Sequence, residues 1–387
     1  MPALPCAATS APRVSGVRLL RRASGDRHRH QGSARGGSVA TVAVDALGAD
    51  RGIAEVAAGV LSAARHGTRC ILFGPEADVR AALTGGEAHS VDIVDCVTSI
   101  TNDEEPARAA RAKPDASIVR AAKLVGEGEA DALVSAGPTG AVLAASLLNI
   151  KRLPGVHRPA IALLLPLPAG QILFLDAGAN VEVRPHHLVQ FAYMGAAFSE
   201  SVLGVERPRV GLLSVGEEPG KGTPDVVEAH SRLADGKLSF AGNVEGDRLT
   251  SGEYDVVVTD GFTGNVALKV MEGTVRVVGA AVRDAARSGP LSMLGGLLLR
   301  PALRGVRERL DPETVGGAYL LGLRRPVVIC HGSSRARAIE NAVALADRGV
   351  RERVVERTGD ALAAGSALRG GREPDGEEIP PGLVRQR

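Results

Sequence analysis

Five segments of the sequence place a polar residue and one or two glycines directly after an apolar run. They are residues 45–50 (DALGAD), 135–140 (SAGPTG), 176–180 (DAGAN), 260–265 (DGFTGN) and 331–334 (HGSS). Glycine lets backbone N–H groups approach a ligand closely, and the N-terminus of a helix attracts anions. One such turn means little by itself, but five in one chain predict a shared anion pocket at the carboxyl ends of strands.

The sequence gives little indication of nucleotide, metal or covalent chemistry. It has no GxxxxGK[ST] segment and no GxGxxG segment after the first apolar run, which argues against a P-loop and a Rossmann site. GxSxG is absent, and no cysteine lies in a reactive-looking turn. The four cysteines are far apart and form no CxxC or Cys/His cluster. We therefore expect no cofactor, no metal and a reducing cytoplasm.

Composition narrows the function classes further. Aromatic residues make up 2% of the 387 residues and Trp is absent, which argues against base-stacking nucleic-acid modules and against membrane aromatic belts. No apolar run reaches the roughly 18 residues needed to span a bilayer. Residues 1–38 hold seven Arg and one acid, so the net charge of +2 leaves about −4 (2 − 6) on the rest. This basic segment lacks a continuous apolar stretch, so we expect a disordered extension rather than a secretory signal.

Short apolar runs alternate with helical patterns along the body of the chain. Strands are predicted at 39–44, 69–73, 91–94, 132–135, 161–165, 171–175, 209–214, 255–259 and 327–330. Helices are predicted at 52–66, 117–125, 141–150, 187–203, 226–233, 265–287 and 331–347, with a loop or short helix at 99–114 and turns from Phe240. The alternation predicts an α/β fold with a mixed, mostly parallel sheet flanked by helices, in which 161–165 and 171–175 form a hairpin.

We expect three regions in the chain. Residues 1–38 form the extension, residues 39–350 form one α/β domain with an amphipathic helical segment at about 288–312, and residues 351–387 form a C-terminal helix and tail. The tail from Gly365 is rich in Gly, Pro and charged residues, so it is expected to be disordered.

Eight segments in order make the chain resemble a known family. They are AVDALGAD (43–50), SAGPTGA (135–141), RLPGVHRPA (152–160), DAGANVEVRPHHLVQFA (176–192), VGEEPGKG (215–222), GNVEGD (242–247), DGFTGNVALK (260–269) and HGSSRARA (331–338). Together they resemble the bacterial acyl-carrier-protein:phosphate acyltransferase family over residues 39–348, roughly 80% of the chain.

The resemblance implies an activity and several partners. Such enzymes transfer a fatty acyl group reversibly from acyl carrier protein to inorganic phosphate, and the acyl-phosphate enters phospholipid synthesis. The resemblance also implies a fold similar to the isocitrate and isopropylmalate dehydrogenase type, a homodimer, peripheral association with the inner face of the cell membrane, and a downstream glycerol-3-phosphate acyltransferase. A phosphotransacylase for coenzyme A thioesters, or a non-catalytic membrane-bound organiser of lipid synthesis, remains an alternative.

Two residues are the candidates for catalysis. Phosphate is itself a competent nucleophile, so the protein must position two substrates and stabilise an oxyanion. Lys221 matches the family's lysine and would bind phosphate or neutralise developing charge; the alternative is a surface pair with Glu217 or Glu218. Asn265 would donate its amide to the thioester carbonyl; the alternative is an ordinary helix N-cap.

The glycine turns supply the remaining candidates. Asp45, Asp176 and Asp260 would orient Lys221 or cap turns, because bare carboxylates repel phosphate. His331 would act as acid, base or phosphate donor, or would cap a helix, and Pro138 removes an N–H from its turn. The full set of expected substrate- or phosphate-binding residues is Asp45, Gly48, Ser135, Gly137, Thr139, Gly140, Asp176, Gly178, Asn180, Asp260, Gly264, His331 and Ser333.

Residues 290–310 combine an apolar face with a basic stripe. Leu299, Leu303, Val306 and Leu310 follow helical spacing on one face, and Arg300, Arg304 and Arg307 lie beside them. This pattern predicts a helix at the membrane interface, with a kink or break caused by Gly295, Gly296 and Pro301. The alternatives are a dimer or core helix with a solvated Arg face, or a docking site for the acidic carrier protein.

Overall fold

The computed structural model describes residues 39–83, 91–167, 170–309 and 312–368. The described residues, all from Val39 onward, belong to one compact unit. The expected disordered extension 1–38 lies outside the described residues, and so do Leu310, the side chain of Arg307 and residues 369–387 of the tail that was expected to be disordered from Gly365. The domain boundaries given above therefore remain predictions.

Eleven strands form one sheet in the order β3-β2-β1-β4-β11-β10-β5-β6-β9-β7-β8. They are β1 (Thr41–Asp45), β2 (Arg69–Gly74), β3 (Val91–Asp95), β4 (Ala132–Ser135), β5 (Ala160–Leu167), β6 (Gly170–Leu175), β7 (Val210–Leu213), β8 (Phe240–Val244), β9 (Val256–Val258), β10 (Ala318–Leu321) and β11 (Val327–Ile329). The mixed, mostly parallel sheet predicted from the sequence is confirmed.

Helices cover both faces of this sheet. They are α1 (Ile53–Arg65), α2 (Glu76–Ala82), α3 (Pro106–Ala112), α4 (Ser117–Gly126), α5 (Thr139–Asn149), α6 (Pro185–Phe198), α7 (Pro224–Ala234), α8 (Gly261–Ala285), α9 (Pro290–Arg309), α10 (Ala336–Arg351) and α11 (Val354–Ala364). Val42 and Ala43, neighbours on β1, belong to two separate core clusters, because successive side chains of a strand point to opposite faces. Burial on both faces explains why the strands are continuous apolar runs.

Strand direction reverses in the middle of the sheet. Strands β1, β2, β3, β4 and β11 are parallel to one another, β10 is antiparallel to β11 and β5, and β5 is antiparallel to β6. Strands β6, β7, β8 and β9 are again parallel to one another. The carboxyl ends of β1, β4 and β11 therefore lie at one edge, which we call the first edge. Those of β6, β7, β8 and β9 lie at the opposite edge, which we call the second edge.

Two strands and several boundaries differ from the sequence prediction. Residues 240–244, predicted as turns, form β8, and β10 was not predicted. Helix α6 begins at Pro185 and α7 at Pro224, because proline is well suited to the first helical turn. The last long helix begins at Ala336 rather than at His331, so His331 does not cap it.

Helices α8 and α9 expose much of their apolar surface. Within α8, the buried residues are Gly261 and Gly264, both in its first turn. Along α9, Leu299, Leu303 and Val306 are 58%, 46% and 42% exposed. Pro301 lies inside α9, where a kink or break was predicted, and the structure continues the helix through it. Within the described parts of the chain, no helix combines the length and apolar character that crossing a membrane requires.

Candidate active site

A buried carboxylate organises the turn after β6. The Oδ1 atom of Asp176 accepts the backbone N–H groups of Ile161 (2.9 Å), Gly178 (3.2 Å) and Ala179 (3.0 Å). Its Oδ2 atom accepts the backbone N–H of Asn180 (2.7 Å) and the side-chain amide of the same residue (2.8 Å). Burial raises the pKa of Asp176, and these hydrogen bonds oppose that shift. The geometry supports turn capping rather than contact with a phosphate.

This turn holds the first turn of α8 in place. The N–H of Gly261 donates to the carbonyl of Asn180 at 2.7 Å. A Cβ atom on Gly264 would lie 1.9 Å from the carbonyl oxygen of Asp176, so the helix and the turn approach more closely than any side chain permits. Gly178 has φ +134°, and its hypothetical Cβ lies 3.7 Å from the Cβ of Asn265. Asn265 is therefore brought directly over the 176–180 turn.

Asn265 does not cap α8. The N-cap is Asp260, whose carboxylate accepts the N–H of Thr263 at 2.8 Å, and Asn265 is the fifth residue of the helix. The N-cap alternative for Asn265 is therefore wrong, whereas turn capping by Asp260 is seen. Asn265 is partly exposed, and among the described residues its amide has no hydrogen-bond partner. This amide is free to meet a ligand.

Lys221 lies in the loop after β7, and its backbone is fixed. Its N–H donates to the carbonyl of Glu218 (2.9 Å), and its carbonyl accepts the hydroxyl of Ser214 (2.8 Å). The buried Asn243 on β8 donates its amide to the Glu218 carbonyl at 2.8 Å. The side chain of Lys221 is exposed, and its ammonium forms no ion pair with Glu217 or Glu218 or with any other described residue. Since β7 pairs with β9, Lys221 and the start of α8 follow neighbouring strands at the second edge.

The turns after β1 and β4 meet at the first edge. Asp45 is buried and accepts the hydroxyls of Ser117 (2.6 Å) and Ser135 (2.8 Å). Burial raises the pKa of Asp45, and those hydroxyls oppose the shift. A Cβ on Gly48 would lie 2.3 Å from the Cα of Gly137, which explains the glycines in both turns. Thr139 and Gly140 then begin α5.

His331 belongs to the first edge as well. Its Nδ1 lies 2.8 Å from the hydroxyl of Ser333 and accepts the N–H of that residue at 3.2 Å. The carbonyl of Gly332 accepts the N–H of Asp50 at 2.9 Å, which joins this turn to the one after β1. The exposed imidazole thus stabilises its own turn rather than the following helix.

The glycine turns fall into two groups along this sheet, and the single pocket for all five remains a prediction. Segments 45–50, 135–140 and 331–334 lie at the first edge, whereas segments 176–180 and 260–265 lie at the second edge, because strand direction reverses between them. Both catalytic candidates, Lys221 and Asn265, follow strands that end at the second edge.

Sequence reasoning overlooked two polar residues that support these turns. Asn243 lies in a segment predicted as turns, although a buried amide on β8 fixes the Lys221 loop. Ser117 was treated only as a helix start, although its hydroxyl holds Asp45. The signal for Asn243 was its place in the quoted segment 242–247.

Comparison with known proteins shows which proteins the chain is similar to in sequence. Residues 40–357 match the family described as "Fatty acid synthesis protein". The chain is 46% identical over 318 residues to "Phosphate acyltransferase" of Heliobacterium modesticaldum, covering 81% of this chain and 95% of that one. It is 44% identical over 335 residues to the protein of the same name in Anaeromyxobacter dehalogenans, covering 86% and 93%.

Solved structures share the fold at low identity. A phosphotransacetylase from Streptococcus pyogenes superposes with a TM-score of 0.54 at 18% identity, covering 81% of this chain and 94% of that one. A branched-chain phosphotransacylase from Enterococcus faecalis gives 0.53 at 19% identity, covering 81% and 99%. At this identity the likeness concerns the fold alone.

Proposed function

This chain belongs to the phosphate acyltransferase family, and we propose that it transfers a fatty acyl group reversibly from acyl-[acyl-carrier-protein] to inorganic phosphate. It is an acyltransferase enzyme. The acyl-phosphate product would enter phospholipid synthesis, where a glycerol-3-phosphate acyltransferase would consume it.

The observation that supports the proposal is that an ammonium and an amide, both without a partner among the described residues, lie in segments that follow neighbouring strands at the second edge. The Lys221 ammonium has no carboxylate partner among the described residues, so its charge is available to a phosphate dianion. The Asn265 amide, placed over the 176–180 turn, is available to a carbonyl oxygen. In this proposal Lys221 binds the phosphate and Asn265 binds the thioester, so each substrate has one binding group.

The reaction needs no covalent enzyme intermediate. An oxygen of monohydrogen phosphate attacks the thioester carbonyl carbon, and negative charge develops on the carbonyl oxygen. Asn265 donates a hydrogen bond to that oxygen, and Lys221 holds the phosphate against the carbon. When the C–S bond breaks, the electron pair leaves on sulfur and the thiolate takes the proton of the phosphate. Asp176 is a positioning residue, because its hydrogen bonds fix the turn against which the first turn of α8 packs.

The acyl donor is tested by comparing two thioesters of the same chain length. Purified protein is incubated with phosphate and either acyl-[acyl-carrier-protein] or acyl-CoA, and acyl-phosphate is measured as its hydroxamate. We expect much faster turnover with the carrier-protein thioester. A preference for acyl-CoA would establish a coenzyme A phosphotransacylase instead, and no turnover with either donor would favour the non-catalytic organiser of lipid synthesis.

We propose that α9 associates with the inner face of the cell membrane as a peripheral contact. The support is its exposed apolar face, Leu299, Leu303 and Val306, together with Arg300 and Arg304 on the same helix. In liposome flotation with anionic lipid, Leu299→Glu combined with Leu303→Glu should abolish binding. Binding that persists would indicate that this face contacts a second copy of the chain or the carrier protein instead. Light scattering would detect the homodimer, and a binding assay with the carrier protein would detect the second case.

A further inference from the structure

Three histidines form a compact group at the second edge, which we call the histidine cluster. His157 precedes β5, and His186 and His187 lie in the first turn of α6. The ring centroids are 4.4 Å apart for His157 and His186, 4.2 Å for His186 and His187, and 5.7 Å for His157 and His187. One nitrogen from each ring lies within 4.8 Å of the others. The spacing alone would suit a metal ion or an anion.

The tautomer of His187 decides between these two ligands. Its Nδ1 accepts the backbone N–H of Arg184 at 3.0 Å, so the lone pair of that nitrogen is already used. In a neutral imidazole with Nδ1 as acceptor, the proton must be on Nε2. A histidine that binds metal through Nε2 carries its proton on Nδ1 and donates it to a second group. His187 therefore offers the cluster an N–H donor and no lone pair, which disfavours a metal and favours an oxyanion.

The charges around the cluster agree with this assignment. Burial is the main cause that lowers the pKa of His187 to about 3, and nearby His186, Arg158, His157 and Arg184 lower it further. The pKa of His186 is also lowered, by burial and by the guanidiniums of Arg232, Arg184 and Arg158, while Glu228 acts in the opposite direction. Glu228 is itself paired with Arg232. The site is thus positive and lacks an uncompensated carboxylate among the groups that act on these two rings.

Hydrogen bonds connect the loop of the histidine cluster to the turn below Asn265. The carbonyl of Pro159, two residues after His157, accepts the side-chain amide of Asn180 at 2.7 Å. The same amide donates to Asp176 at 2.8 Å. The loop that carries His157 and Arg158 and the turn under Asn265 are therefore one hydrogen-bonded unit.

We propose that the histidine cluster, together with Arg158 and Arg184, is a binding site for an oxyanion of the phosphate class. The Nε2–H of His187 and the two guanidiniums donate hydrogen bonds to its oxygens. The ligand is either inorganic phosphate or the phosphate group of a larger monoester. The choice of phosphate as ligand rests on the proposed function, whereas the preference for an anion over a metal rests on the tautomer and the charges.

Histidine NMR of the full-length protein tests the site without an activity readout. The nine histidines are labelled with 15N, and long-range 1H–15N spectra identify the tautomer of each ring. Inorganic phosphate, methyl phosphate and Zn²⁺ are titrated separately. We expect His187 as the Nε2–H tautomer and phosphate-dependent shifts at His186 and His187. Arg158→Gln and Arg184→Gln should each weaken phosphate binding by about tenfold, the loss of one charge-assisted hydrogen bond.

Matched variants control for charge and for folding. His66 is an exposed histidine and Arg80 an exposed arginine, both far along the sheet order at its other end, so His66→Gln and Arg80→Gln should leave phosphate binding unchanged. Thermal unfolding verifies that each variant is folded, and either arginine variant suffices if the other is not.

The outcomes separate the site from the activity. Binding of phosphate alone supports a site for the free anion, and equal binding of methyl phosphate supports a site for a phosphate group on a larger ligand. An Nδ1–H tautomer with Zn²⁺-dependent shifts would overturn the proposal in favour of a metal. Normal acyl-phosphate formation with no phosphate response at the cluster would overturn the site but leave the proposed function standing. Phosphate binding at the cluster without acyl-phosphate formation would support the site and overturn the proposed function.

Discussion

The contact between Gly264 and the carbonyl of Asp176 is the most sensitive point of the site. Gly264→Ala would place a Cβ 1.9 Å from that oxygen, and ordinary van der Waals contact begins at 3.4 Å. The start of α8 must therefore move by up to about 1.5 Å (3.4 − 1.9), and Asn265, the next residue, moves with it. The substitution changes no group that contacts substrate in the proposed mechanism.

The expected losses follow from that displacement. A misplacement of about 1 Å can cost on the order of 100-fold in rate, so kcat/KM for acyl-phosphate formation should fall by about that factor. Overpacking of this kind costs roughly 1–3 kcal/mol in the free energy of unfolding, measured by urea denaturation. The protein should remain folded, because the clash is confined to one helix terminus.

Gly279→Ala on the same helix is the matched control. A Cβ there meets no atom within 4 Å, so the change adds helix propensity without a clash. We expect unchanged kcat/KM and a gain of about 0.5–1 kcal/mol in the free energy of unfolding. If Gly264→Ala keeps kcat/KM within twofold of the wild type, the turn does not position Asn265 and the reasoning fails. Equal losses in both variants would refute it as well.

Three further changes probe the same edge. Lys221→Ala should lower kcat/KM by roughly 100-fold or more, because the phosphate loses its counter-charge. Lys237 is an exposed lysine just before β8, so Lys237→Ala should leave kcat/KM unchanged. Asn265→Ala should lower kcat by about 100-fold with little change in the KM for phosphate, since its amide acts on the developing oxyanion. Burial lowers the pKa of His187 to about 3 in the folded protein, whereas its ordinary value is 6.5. Below pH 6.5 the unfolded chain therefore binds more protons at this residue, and the free energy of unfolding decreases as the pH falls from 6.5 towards 3. Between pH 7.5 and 5 this group should cost about 2 kcal/mol in urea denaturation, and His187→Gln should remove that component; an unchanged pH dependence would contradict the assignment.

Local patterns were sufficient to predict most elements. The strand 132–135 and the hairpin partners near 161–165 and 171–175 are continuous apolar runs that are buried in the sheet. Phe240–Val244 was not predicted because Gly242 and Asn243 are typical turn residues, and here their strand positions are stabilised by pairing with β7. Tertiary pairing overrode propensity at that point.

The sequence alone could not predict that the glycine turns divide between the two edges. Each turn was identified correctly as a strand end, but the direction of each strand depends on its place in the sheet. Strand β10, which was not predicted, separates β11 from β5 and is antiparallel to both, and β6 then reverses against β5. The sequence also could not predict whether the Lys221 ammonium pairs with Glu217 or Glu218. Neighbouring charges on a surface loop form an ion pair only in some side-chain rotamers, and residue spacing does not determine the rotamer.

Direct attack of phosphate on the thioester is the central claim, and a single-turnover experiment tests it most directly. Purified protein in excess is mixed with acyl-[acyl-carrier-protein] first without and then with phosphate, while free carrier protein, acyl-phosphate and the mass of the protein are followed. We predict no carrier release and no acylated protein before phosphate is added, and then equal amounts of free carrier protein and acyl-phosphate. A stoichiometric release of carrier protein with an acylated chain before phosphate is added, or no acyl-phosphate after it, would contradict the account.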